Sequence, residues 1–177
     1  MKKIMSIALT IIAVGAALLV GQAKASEQLD AKKVLQDIEE KGATTVFGTE
    51  LTGKKWLTLL SNVETGKNVW LKVAVAIYPA TDAGPAEDLT LAVSEALLHS
   101  PREVLLIAAP IMGINGICDY SEMTMAHRKI QTIQQATLDI DARLNVLRNI
   151  GGSDIAEQRK QCLAILEEAR HEIQSGK

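Results

Sequence analysis

Gly48-Thr49-Glu50-Leu51-Thr52-Gly53-Lys54-Lys55 comes nearest, of any stretch in this chain, to a residue pattern with a defined chemistry. It follows the phosphate-binding loop G-x-x-x-x-G-K-[ST] up to the last position, where a hydroxyl would hold a phosphate-bound metal. Lys55 stands there instead, and an ammonium cannot ligate a cation. The stretch therefore reads as a glycine turn ahead of a helix. The histidines, His99, His127 and His171, are each alone in their segments. A metal centre needs several such ligands converging, and none of the three has another His or a Cys at i+4. His99 falls at a predicted helix end, where a cation complements the dipole. The carboxylate pairs Glu39-Glu40, Glu87-Asp88 and Glu167-Glu168 all fall on predicted helices and read as solvated faces. Asp82, Glu87 and Asp88 gather around one turn, but without the ligand order of a calcium loop. No G-x-S-x-G elbow presents a serine nucleophile. The expectation is a protein that is not an enzyme and carries no metal or cofactor.

The two cysteines, Cys118 and Cys162, take their meaning from the compartment. Lys2 and Lys3 give a positive start, Ile4 to Leu19 is an apolar run, and Ala23-Lys24-Ala25 offers small residues at both positions a signal peptidase reads. Residues 1–25 are expected to be a cleavable signal peptide, and the protein to be exported, most simply to a bacterial periplasm. The alternative is an uncleaved membrane anchor, which needs about 20 apolar residues. The Gly- and Ala-rich end of the run and the A-K-A site favour cleavage, with no stable membrane insertion afterwards. In an oxidising compartment an even cysteine pair is expected to be bridged. A Cys118–Cys162 disulfide would close a loop of about 45 residues, worth about 4 kcal/mol by chain entropy.

Composition narrows the partners. Without residues 1–25, 152 of the 177 residues remain, enough for one domain with its own core. Lys2, Lys3 and Lys24 lie in the leader and no acid does, so 16 basic residues face 21 acidic ones, a balance of −5. An acidic domain suits neither nucleic acid nor an anionic membrane surface. Trp56, Trp70, Tyr78, Tyr120 and Phe47 are the only aromatics, too few for a base- or sugar-stacking platform. The core must be built of Leu, Ile, Val and Ala.

The elements that would position these residues are helical. Glu27 to Lys41 carries a narrow stripe of Leu29, Val34, Leu35 and Ile38 and stops at Gly42. Ala43 to Phe47, with Thr44, Thr45 and Val46, reads as a short extended run. Lys54 to Thr65 sets Trp56, Leu59, Leu60 and Val63 at i, i+3, i+4 and i+7. Asn68 is placed to cap the next helix, whose broad face is Val69, Trp70, Val73, Ala74, Ile77 and Tyr78. Pro79 ends it, and Thr81 to Gly84 turns the chain. Pro85 and Pro101 each suit a first helical turn. The helix after Pro85 carries Leu89, Ala92, Val93, Ala96 and Leu97. The one after Pro101 carries Val104, Leu105, Ile107 and Ala108 and closes at Pro110. Residues 111–122 read as an irregular loop. A long helix is predicted from about Glu122 to Asn149, a break at Gly151-Gly152, and a last helix capped by Ser153. These last two read as an antiparallel hairpin spanning 123–177.

The fold expectation is all-α: stacked short antiparallel helices over 26–110, the 111–122 loop, and the C-terminal hairpin, together one domain over 26–177. From about Lys54 to Pro110 the helix lengths, the turn placement and the apolar pattern from Trp70 to Leu105 resemble HEAT-like helical hairpins. The middle segment with the two-Cys C-terminal part also resembles uncharacterised exported proteobacterial proteins, which implies export but no particular activity. Stacked helices present grooves to protein partners. The expected function is a non-enzymatic, exported protein-binding module. One form is an inhibitor or immunity protein against a periplasm-acting toxin or cell-wall hydrolase. An enzyme of unfamiliar class and an envelope-tethered structural protein are the alternatives. Function concentrates on loops held by rigid scaffolds, so Asp119, Tyr120 and Glu122 are the candidate partner-binding residues.

Overall fold

The computed structural model describes residues 29–121, 125–126 and 128–175. Residues 1–25, expected to be a signal peptide, Glu122 and His127 lie outside the described residues. Among those described, every regular element is helical: α1 (Ala31–Lys41), α2 (Ala43–Thr49), α3 (Lys54–Glu64), α4 (Asn68–Ile77), α5 (Ala83–Ala96), α6 (Pro101–Glu103), a π-helical stretch (Val104–Ala108), α7 (Ala109–Met112), α8 (Ile114–Cys118), α9 (Ile133–Arg148) and α10 (Ala156–Ser175). The all-α expectation is met.

The first half of the chain packs by its predicted faces. Asp30 caps α1, its carboxylate accepting from the backbone N–H of Lys32 and Lys33, and Gly42, at φ 84°, ends it. The 43–47 run is not extended but helical. A lone strand has no neighbour to satisfy its backbone, whereas as α2 the run bonds internally and buries Val46. Trp56, Leu59, Leu60 and Val63 of α3 are all buried, as their spacing requires. Asn68 does not cap α4. Lys67 is the capping residue and Asn68 starts the helix. Trp70, Leu71, Val73, Ala74 and Ile77 make α4 apolar on nearly every side, so it runs through the middle of the fold. It contacts α1, α3 and the π-helical stretch, while α3 lies along α5.

Pro110 does not close its helix. A proline lacks the N–H for the i→i−4 bond, and its ring crowds that carbonyl. The chain absorbs this by widening one turn: the Ala109 N–H donates to the carbonyl of Val104, five residues back, and the helix continues to Met112 before Gly113, at φ 86°, ends it.

The second half departs further from expectation. The 111–122 segment is not an irregular loop, because Ile114–Cys118 forms a short helix with Ile117 and Cys118 buried. The predicted long helix begins only at Ile133, where Thr132 caps it by accepting from the Gln135 N–H at 3.1 Å. In the turn before it Lys129 sits at φ 57°, a left-handed conformation unusual for a residue with a side chain. Gly152, at φ 129°, turns the chain into α10 through a 3-10 turn, Ser153–Ile155, in which the Ser153 side chain makes no capping bond. Arg148 pairs with Glu167 at 2.8 Å and Asp141 with Arg170 at 2.8 Å, the inverse order of antiparallel helices. The hairpin is not separate from the middle helices. α8 contacts both α5 and α10, and one apolar core runs from Ala31 to Leu166.

Candidate functional site

The 113–121 segment faces a groove. Asn115, Gly116, Asp119 and Ser121 form one bank and Tyr78, Ala86, Glu87, Thr90 and Leu91 the other, enclosing about 430 Å³ between α5 and α8. Gly116 lets the banks close at the floor, since a Cβ there would stand 3.1 Å from the Thr90 methyl. Thr90 turns its hydroxyl away, donating to the Ala86 carbonyl at 2.8 Å, so its methyl faces α8. The walls are largely apolar and the polar groups sit at the rim.

Asp119 is exposed while both its neighbours are anchored. On one side Cys118 lies at disulfide-bonding distance from Cys162, with Cα atoms 5.4 Å apart. The pair forms because α8 lies on α10, so the chain folds back along the hairpin as such a bridge demands. On the other side Tyr120 is buried, 6% exposed. Its hydroxyl donates to the Ala136 carbonyl at 3.3 Å and its ring lies beneath the Arg128 guanidinium, 5.1 Å from the centroid. Burial, and next the nearby Asp139 carboxylate, push the Tyr120 phenol well above its usual range. Tyr120 is therefore not a surface recognition group. It is a peg that fixes Asp119. The Asp119 carboxylate accepts from the Ser121 N–H at 3.2 Å, which sets its direction. Neither Asp119 nor Glu87 forms an ion pair among the described residues.

The remaining sequence candidates are scattered. His99 is exposed in the turn after α5, and His171 is exposed on α10. Asp88 accepts from the Trp56 indole N–H at 3.4 Å. Gly48 belongs to α2 and Lys54 and Lys55 to the first turn of α3. Among the described residues no three His, Cys, Asp or Glu side chains converge in a way that would hold a metal. No described helix is long and apolar enough to cross a membrane.

Sequence reasoning missed a charge cluster at the other end of α5 from Glu87. Arg143 is 1% exposed. Its guanidinium donates to Asp139 at 2.9 Å, to Glu95 at 3.1 Å and to the Ser94 carbonyl at 2.5 Å. Arg128 donates to the same Glu95 and Asp139 carboxylates, and to the Ser94 hydroxyl at 2.9 Å. Two cations and two carboxylates thus balance at the C-terminal end of α5, where helix carbonyls lack internal partners. Burial, and next the Arg128 charge, lower the pKa of Arg143, while Asp139 and Glu95 act to raise it. One signal was available: Ala136, Ile140, Arg143, Leu144 and Leu147 share one stripe, so Arg143 stands where a core residue belongs. The cluster pins the turn carrying Arg128, and through Tyr120 the groove bank, onto α5 and α9.

No protein-family model matches this chain, and no curated protein or solved structure does either.

Proposed function

We propose that this chain is an exported, non-enzymatic binding module whose α5–α8 groove receives a basic side chain of a protein partner. The observation that carries the reading is the pair Glu87 and Asp119. Both carboxylates lack a cationic partner among the described residues, and they face each other across an apolar groove. Asp119 is held rigid by Cys118 and Tyr120, so little ordering entropy is lost when a ligand arrives. A lysine or arginine entering there would lay its aliphatic stem on Leu91 and Ala86 and its charge between the acids. The leader, the oxidising compartment a bridged cysteine pair calls for and the acidic balance all favour an envelope partner that is basic. An inhibitor or immunity protein against a periplasm-acting toxin or cell-wall hydrolase is the specific form we propose.

The test is a cross-linked pull-down from periplasmic extract with the wild-type chain and with Glu87→Lys and Asp119→Lys. We expect a stoichiometric partner held by the wild type and released by both reversals. Capture indifferent to both charges, or none from folded protein, would overturn the reading.

A further inference from the structure

The acidic groove has a neighbour. Phe47, Gly48, Leu51, Trp56, Leu57 and Pro85 frame a second concavity, of about 500 Å³, in which almost every wall is apolar. Leu57 on its rim is 63% exposed. Phe47 meets Trp56 edge to face, with ring centroids 5.4 Å apart, so the floor is already packed before anything binds. The two grooves share a wall, the first turn of α5. Pro85 lines the apolar groove, and Ala86 and Glu87 line the acidic one. At about 100° per residue Pro85 and Glu87 point to opposite flanks of a helix roughly 10 Å thick. The crest between them is Ala83–Gly84, exposed, with open space where a Cβ on Gly84 would stand. A chain can therefore cross from one groove to the other over Gly84, passing the Ala83 methyl and the Asp82 carboxylate.

We propose that the two grooves form one bipartite docking surface. Its occupant is an extended segment of a partner protein that puts a lysine or arginine between Glu87 and Asp119 and an aliphatic side chain beside Leu57 and Trp56. The inference rests on the binding-module reading and adds the second anchor. Charge complementarity selects this occupant: Asp82, at the crest, joins Glu87 and Asp119 in having no ion pair among the described residues, and three uncompensated acids repel an acidic segment. Anchors about 10 Å apart match three or four residues of extended chain at about 3.3 Å each.

The probes are blocked Gly/Ser octapeptides carrying one arginine, one leucine, or both at a separation of three or four residues in either order. They are titrated into the ¹⁵N-labelled full chain and followed at the Gly116 and Gly48 amides and the Trp56 indole N–H. The two-anchor peptide is expected to shift all three signals and to bind about tenfold tighter than the arginine peptide, the order gained by burying one leucine. Leu57→Glu, a change at an exposed position, should remove that gain and leave arginine binding intact, and Glu87→Lys should remove both. A two-anchor peptide that binds no tighter than the arginine peptide would overturn the bipartite surface and leave the acidic groove standing. Silence at Gly116 with every arginine peptide would overturn both. Loss of a dimer in Leu57→Glu, read by sedimentation, would assign the apolar groove to a second copy and overturn the proposal.

Discussion

Replacing both cysteines, Cys118→Ala with Cys162→Ala, removes a cross-link between residues 44 apart in sequence. Chain entropy for a closed loop of about 45 residues comes to about 4 kcal/mol at room temperature. Both sulfurs are buried, Cys118 at 1% and Cys162 at 0% exposure, so alanine leaves apolar surfaces facing each other and no stranded polar group. In a domain of this size each kcal/mol moves Tm by about 2–4 °C, so the loss predicts a fall of roughly 8–16 °C. Alanine is preferred to serine because a buried hydroxyl would add a desolvation cost unrelated to the bridge.

The assay is thermal unfolding by circular dichroism of wild type and double variant, each with and without reductant. Reductant should lower the wild type to the variant and leave the variant unmoved. Burial of both sulfurs further predicts that native protein resists reduction until it opens. A variant melting within about 3 °C of the oxidised wild type, with the same helical signal, would refute the reasoning. It would mean that the α8–α10 contact, through Ile117 and its neighbours, holds without covalent help.

Other consequences follow from buried charge and tight backbone. Arg143→Ala strands Glu95, Asp139 and the Ser94 carbonyl and should cost about 3–5 kcal/mol in urea unfolding, while Arg143→Met with Asp139→Asn, which keeps Arg128 paired with Glu95, should recover part of it; a loss under about 1 kcal/mol for the alanine variant would show that water replaces the guanidinium. Gly66→Ala forces a side chain to φ 69°, with its Cβ 2.8 Å from the Ser100 hydroxyl and 3.2 Å from the Ala96 carbonyl, and should destabilise by more than about 1 kcal/mol, read by the urea midpoint. Hydrogen bonds from Lys41 and then Lys33 hold the Asp37 carboxyl below its ordinary 3.8. Its contribution is therefore present above pH 3.8 and lost as pH falls through the lower folded value, so the stability gap between wild type and Asp37→Asn should close in acid and a gap independent of pH would refute the pairing.

Much of the fold was legible because helical period and burial agree. Trp56, Leu59, Leu60 and Val63 could face only one way, and α3 formed as read. The misreadings share a cause: local chemistry was judged without its tertiary partner. Thr44, Thr45 and Val46 have strand propensity, but the described residues hold no second strand to pair with them. Pro110 removes one bond, and a π turn supplied a different one that sequence alone does not announce. The start of α9 was in fact written in the chain. Thr132 and Gln135 stand three apart, as in a capping box, and the Gln135 side chain accepts from the Gln131 N–H at 3.0 Å. Ile130 and Ile133, at helical spacing with Ala136, hid that boundary. Of the three candidate partner-binding residues, two fall where the structure describes them and Glu122 lies outside the described residues. Asp119 lies on the groove, but Tyr120, taken for a contact, is the peg beneath it, because a tyrosine beside a buried arginine gains more from cation–π and burial than from exposure.

The contrast between the two acidic settings is why the groove, rather than the cluster, is the surface proposed to bind. Glu95 and Asp139 sit at the far end of α5 from Glu87, and every charge there is answered from within: two guanidinia, one hydroxyl and one carbonyl close the set. Opening it would strand buried ions at several kcal/mol each, so evolution of a partner site there would work against the fold. At the N-terminal end of the same helix Glu87 and Asp82 meet no cation among the described residues, although 16 basic residues follow residue 25 and several are spent on pairs elsewhere, Lys33 and Lys41 on Asp37 and Arg148 on Glu167. Helix α5 thus carries compensated charge where it holds the structure together and uncompensated charge where it meets solvent. That asymmetry costs little when the acids are hydrated, and under the proposed function it would become binding energy only when a partner brought the missing cation.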